Sequence, residues 1–255
     1  MHDPRIDSMK NFITLTRMEF KLFLREPQAA FFTLVFPLIM LFAYGSVYGN
    51  KPNPLFGGYG NVDVSVPSYT ALIIATSGLI SITVIFSTYR ETGILRRYKA
   101  TPVRPLSLLT ADVVVIFIMT SLGMFLLILA AKLFYGLRFA GNPVNLGLAF
   151  VLSCMSFFSF GFILAGLLPS ARTAQIVGMA LFFPMIFLSG STIPVEMMPE
   201  KIRAISQFIP LTYVVRLMKG FWFGETWSQH TTDLAVLLVL MIVSLLVSTK
   251  VFRWE

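Results

Sequence analysis

Two histidines, one cysteine and twelve acids are all that this 255-residue chain offers for a catalytic or metal site. Hydrolysis inside a membrane needs a nucleophile with a histidine, or paired acids, at one depth. His2 and His230 lie outside the apolar stretches, and Asp112 stands at the edge of one without a second acid. Ser189 and Ser191 flank Gly190 with no base at hand. Cys154 lies within an apolar run, so no disulfide framework or cysteine metal site is expected. Nothing matches Gly-x-x-x-x-Gly-Lys-Ser/Thr, the loop whose amides and lysine hold nucleotide phosphates. The run Gly57-Gly58-Tyr59-Gly60 is a turn signal alone. What remains is recognition by charge and shape, and the cations for it are concentrated. Five sit in the N-terminal segment (Arg5, Lys10, Arg17, Lys21, Arg25) and five between residues 90 and 104 (Arg90, Arg96, Arg97, Lys99, Arg104).

The elements that carry these groups must be membrane helices. Apolar residues make up 56% of the chain and charged ones 13%, about half the charged share of a soluble domain. A helix crossing the hydrocarbon core needs about 20 mostly apolar residues. Six stretches meet this, at 29–49, 69–89, 113–133, 144–168, 173–190 and 234–252. Runs such as FIMTSLGMFLLILAA do not alternate, which excludes a transmembrane barrel. The expected fold class is therefore all-α, a polytopic protein with six transmembrane helices. The spans lack central charges, which argues against a proton- or ion-coupled carrier.

On a soluble protein the net charge of +8 would suggest a nucleic-acid partner. Here it reads as loop charge, and no nucleic acid is expected. Thirteen of the 20 cations fall on the side of the N-terminus, the 90–104 loop, Arg172 and the tail. The positive-inside rule puts that side, and both termini, in the cytoplasm.

Three features lie outside the spans. Lys10–Glu26 reads as one helix stopped by Pro27, with Phe12, Leu15, Met18, Leu22 and Phe23 as an apolar stripe beside its cations. That pattern suits a helix lying in the lipid interface. Glu19 and Glu26 intrude on the stripe and are expected to pair with neighbouring Arg and Lys. Residues 89–102 read as a short helix stopped before Pro102, with an apolar edge of Ile94, Leu95 and Tyr98. Residues 189–227 hold Pro194, Pro199 and Pro210 between apolar pieces too short to span, read as short re-entrant or interfacial helices with Trp222 near the headgroups. Small residues four apart (Gly45 and Gly49, Ser77 and Ser81, Gly161 and Ala165, Ala174 and Gly178) mark close helix approach.

In this order, on six spans, the features resemble the membrane subunit of a type-2 ABC exporter, closest to the drug- and antibiotic-resistance subgroup. Arg25-Glu26-Pro27 followed by Pro37 matches the family's first block. Glu91-Thr92-Gly93-Ile94-Leu95, a basic stretch and Thr101-Pro102 match the second, with Ile94 where Leu is usual. Gly190 to Pro194, Met198-Pro199 and Pro210-Leu211-Thr212-Tyr213 match the third.

The resemblance implies a connecting helix over residues 1–28 that includes Lys21, Arg25 and Glu26, a six-helix domain over 29–252, and a tail at 253–255. It implies that Glu91, Gly93, Ile94, Leu95, Arg96, Arg97, Thr101 and Pro102 form a coupling helix docking on a separate cytoplasmic ATPase. The outer block of Gly190, Pro194, Pro199, Pro210 and Tyr213 would close the external mouth. This chain would bind no cofactor, ATP and Mg belonging to the partner ATPase. It would sit in lipid, in a prokaryotic inner or plasma membrane, as a homodimer or beside a closely related permease. The cargo would be hydrophobic or amphipathic. A lipid-linked glycan exporter of the same family is the alternative, and an ATP-independent channel or carrier comes after it.

Overall fold

A computed structural model describes residues 4–94, 105–192, 195 and 198–251, with side chains undescribed at 4–13, 24, 28, 105, 106 and 251. Among the described residues every regular element is helical. Helix α1 (Pro4–Arg25) ends where Pro27 follows, and a short turn (Pro27–Ala30) leads into α2 (Phe31–Tyr48). Then come α3 (Asn61–Glu91), α4 (Pro105–Tyr135), α5 (Pro143–Leu167) and α6 (Ala171–Leu188). Two short helices, α7 (Glu200–Ser206) and α8 (Pro210–Trp222), precede α9 (Thr231–Val251). Among the described residues, six helices are long and apolar enough to cross a membrane.

Helix α3 is the axis of the bundle. It is buried on every side over most of its length, enclosed by other helices, and Leu72, Ile73, Ile74, Leu79 and Ile82 are wholly buried. Its first half packs on α2, α4 and α8, and its second half on α5 and α6. Helix α9 lies outermost, along α5 and α8. Large apolar side chains such as Phe125, Leu133, Phe187 and Leu246 face outward on the long helices. Water would not tolerate this much exposed apolar surface, whereas lipid accepts it.

The helix starts at Asn61 rather than near Tyr69, because its polar first turns are satisfied internally. Ser65, Ser68 and Thr70 each donate to the carbonyl four residues back. Pro67 sits inside it. In α2, Pro37 lacks the N–H that would serve the Thr33 carbonyl, and Phe31–Val35 widens into a π-turn just before it. A second π-turn, Ser77–Ile82, interrupts α3 at mid-depth. There the Ser77 hydroxyl lies 2.7 Å from that of Thr120.

The small-residue spacings serve contacts within the chain. A Cβ on Gly161 would overlap the Gly78 carbonyl, one on Gly178 would sit 2.5 Å from the Leu79 carbonyl, and one on Gly45 would meet the Tyr135 ring. Gly161→Val is therefore expected to push α5 off α3 and lower folding stability by about 3 kcal/mol, the scale of core overpacking. Thermal unfolding in lipid nanodiscs checks this, and an unchanged midpoint would show that the helices are not held at this distance.

Candidate functional site

The second sequence block begins where α3 ends. Thr92 caps the helix, its amide and hydroxyl both donating to the Thr88 carbonyl. Gly93 then turns the chain with φ +66°, a left-handed conformation that glycine adopts without strain. Ile94 is half-buried. Leu95, Arg96, Arg97, Thr101 and Pro102 lie outside the described residues, as does Pro194.

The last turn of α3 faces two ways. On one side Arg90 and Glu91 hold the tight connection between α5 and α6. The Arg90 guanidinium donates to the carbonyls of Ala165, Gly166 and Leu168, at the C-terminal end of α5. The Glu91 carboxylate accepts from the Ala171 amide at 2.8 Å, at the N-terminal end of α6. Each charge thus meets the helix end of opposite partial charge. Ser170 caps α6 as well, accepting from the Thr173 amide. Glu91 was singled out by sequence for docking, and the structure adds that its carboxylate is already engaged within the chain.

On the other side Tyr89 reaches two acids. Its hydroxyl lies 3.3 Å from Asp112 Oδ1 and 3.4 Å from Glu19 Oε2. Asp112 enters from α4 and Glu19 from α1, and both are buried. This corrects two expectations. Asp112 does have a second acid beside it, and Glu19 turns inward to Tyr89 rather than pairing with Arg and Lys on its own helix. The α1 stripe is also divided, with Phe23 buried while Met18 and Leu22 are exposed. Desolvation raises the Glu19 carboxyl above its usual range, opposed by its hydrogen bonds to Asp112 and Tyr89. Lys21 is exposed, while Arg25 and Glu26 stand at the rim of a cavity of about 200 Å³ that Glu19, Tyr89 and Asp112 also line.

At the far end of α3 the third block and two loops are tied together. Gly190, with φ +88°, ends α6, Pro199 precedes α7, and Pro210 opens α8 at its first position. Thr212 donates to the Ser206 carbonyl and Tyr213 to that of Gln207, which stitches α8 to α7. The buried face of α8 includes Leu211, Val214, Val215, Met218 and Trp222, the helical spacing of an amphipathic piece. The Trp222 ring is 1% exposed, and its Nε1 donates to the Arg138 carbonyl.

Asp63 is the hub at this end. Fully buried, it accepts from Asn50 Nδ2, the Gly60 amide, and the Arg138 amide and guanidinium. His230, read in the sequence only as lying outside the spans, is buried with Nδ1 2.7 Å from Asp233 and Nε2 2.8 Å from Glu225. A polar cleft of about 570 Å³ opens beside it, lined by Phe56, Arg216 and Glu225 among others. Among the described residues, no set of three or more His, Cys, Asp or Glu is arranged to hold a metal. Asp63 had no sequence signal beyond its charge, since Asn50 and Arg138 are brought from other parts of the chain, whereas Glu225 and Asp233 stand only five and three residues from His230.

Residues 10–223 match the family described as ABC-2 type transporter. Nodulation protein J of Rhizobium leguminosarum bv. viciae is 29% identical over 99 residues, which cover 39% of this chain and 38% of that protein. The probable multidrug ABC transporter permease YbhS of Escherichia coli strain K12 is 23% identical over 188 residues, 73% of this chain and 48% of that protein. The inner membrane transport permease YhhJ of the same strain is 24% identical over 195 residues, 73% of this chain and 50% of that protein. The chain thus spans half or less of the length of the curated relatives it matches.

Proposed function

Because the chain belongs to the ABC-2 type transporter family, we propose that it is the membrane-spanning subunit of an ATP-driven exporter, with a separate cytoplasmic ATPase as its motor. The cargo on this reading is a hydrophobic or amphipathic compound, and a relative described as a probable multidrug permease supports that choice. ATP and Mg belong to the ATPase. The Glu91 end of α3 faces the cytoplasm, in keeping with its cations and the positive-inside rule.

The observation that carries the reading is the α3 terminus. The segment proposed to meet the ATPase begins at Glu91, and the last turn of α3 that carries it grips the α5–α6 connection on one side and lies against α1 and α4 on the other. A push delivered there reaches every one of those helices. The export path lies between two copies of the chain, or between it and a related permease, because two ATPases need two docking surfaces. The small-residue stripes lend this pairing no support, being used inside the protomer.

Leu95→Asp puts a charge on the apolar edge of the docking segment. The expected result is a protein that inserts normally but no longer co-elutes with vanadate-sensitive ATPase activity, which wild type retains. Transport by the purified chain in liposomes without any ATPase would overturn the motor and favour a passive carrier. Crosslinking that yields monomers alone in the presence of the ATPase would overturn the pairing.

A further inference from the structure

The cavity beside Asp112 is short of hydrogen-bond donors. Glu19 and Asp112 are 8% and 3% exposed and hydrogen-bond to each other, and the Tyr89 hydroxyl reaches both only at long distances. Asp112 Oδ2 has no partner and is shielded from solvent. A buried acceptor left in that state costs on the order of 1–3 kcal/mol, so such groups are kept only where something else meets them. The opening that Asp112 lines supplies the place. Phe23 on α1, Ile85 on α3 and Val115 on α4 give it apolar wall, with Thr88 beside them and Arg25 and Glu26 at the rim.

We propose that this cavity binds the ammonium head of a lipophilic amine, with its N–H groups on Asp112 and Glu19 and its alkyl chain along the apolar walls. A protonated amine brings what the site lacks, several donors and a positive charge on an apolar stem. Anions are refused by the carboxylates. A divalent ion would need more oxygen ligands than two acids and a hydroxyl provide, and no such set occurs among the described residues. The volume of about 200 Å³ is below the roughly 300–1,000 Å³ of drug-sized pockets, so the site takes the head and first carbons of a longer molecule. The charged and titratable groups facing it are Glu19, Arg25 and Glu26 from α1, Tyr89 from α3 and Asp112 from α4. Arg25, at the rim, is the competing cation. This names a ligand class for the proposed exporter and rests on that reading only for the ligand's arrival from the inner leaflet.

Binding is measured on the full chain in nanodiscs, without the ATPase, using hexylammonium as probe with hexanol and hexanoate as neutral and anionic matches. Hexylammonium is expected to bind saturably and the other two not. Asp112→Asn should weaken it at least tenfold, and Glu19→Gln serves as the second variant if that protein folds poorly. The probe stays charged below about pH 10, so affinity should rise with pH as Glu19, whose carboxyl burial holds above its usual range, gives up its proton. Glu19→Gln should flatten that rise. Equal binding of hexanol, no saturable binding of hexylammonium, or unchanged affinity in both variants would overturn the site. Binding without ATP-driven transport of the amine would leave the site standing and count against the export reading instead.

Discussion

Replacing Asp63 with alanine is expected to destabilise the folded chain by about 3–5 kcal/mol, the scale of breaking a buried, hydrogen-bonded ion pair. The carboxylate is wholly enclosed, and its acceptor capacity is filled by Asn50, Gly60 and Arg138. Removing it strands the Gly60 and Arg138 amides, while Asn50 Nδ2 keeps only the Tyr135 carbonyl. The Arg138 guanidinium is 45% exposed and can turn to water, so the loss lies mainly in the buried neutral donors. It also removes the anion in the first turn of α3, where the helix dipole favours one. Asp63→Asn should recover part of the loss, since an amide oxygen still accepts from one side. Thermal or SDS unfolding of the purified protein reads the difference, and a change under about 1 kcal/mol for Asp63→Ala would mean that the network only decorates a bundle held by lipid and packing.

That hub also marks how far the sequence could be read. The six spans were legible because a bilayer forces long apolar runs and leaves few alternatives. The first turns of α3 were not, because Asp63, Ser65, Pro67 and Ser68 dilute the apolar signal just where side-chain bonds to Asn50, Arg138 and the helix's own carbonyls make it helical. The break at Gly93 was missed as well, since residues 89–102 read as one short helix, although glycine after a polar turn is a local stop signal. Nor could the sequence show what Arg90 and Glu91 hold, because their partners arrive from α5 and α6. The same limit hid the meeting of Glu19 with Asp112. Period and composition put Glu19 on the apolar stripe of α1, and only the packing of α1 on α4 brings Asp112 to it. The small-residue stripes show the converse problem. The spacing truthfully announced close approach, but it is the same for a neighbour in the chain and for a second copy.

Arg90→Ala is expected to cost the largest share of function. Its guanidinium serves the carbonyls of Ala165, Gly166 and Leu168, at an end of α5 where backbone acceptors have no helical partner. Charge-assisted bonds of this kind contribute about 1.5–3 kcal/mol each when made, and lysine, a point charge with no planar fork, cannot replace all three. With Arg90 gone, α3 keeps a single polar tie to the α5–α6 connection, the Glu91 bond to Ala171. On the export reading, movement of the docking segment would then no longer carry α5 and α6 with it. Transport in reconstituted vesicles should fall on the order of tenfold or more, a loss of about 1.4 kcal/mol, while the ATPase still binds. Glu91 separates this structural role from direct docking. Glu91→Gln keeps an oxygen for the Ala171 amide and should transport nearly as well as wild type, whereas Glu91→Ala should be impaired. If the glutamine variant instead loses the ATPase, the charge of Glu91 is what the partner reads, and its bond to Ala171 is incidental.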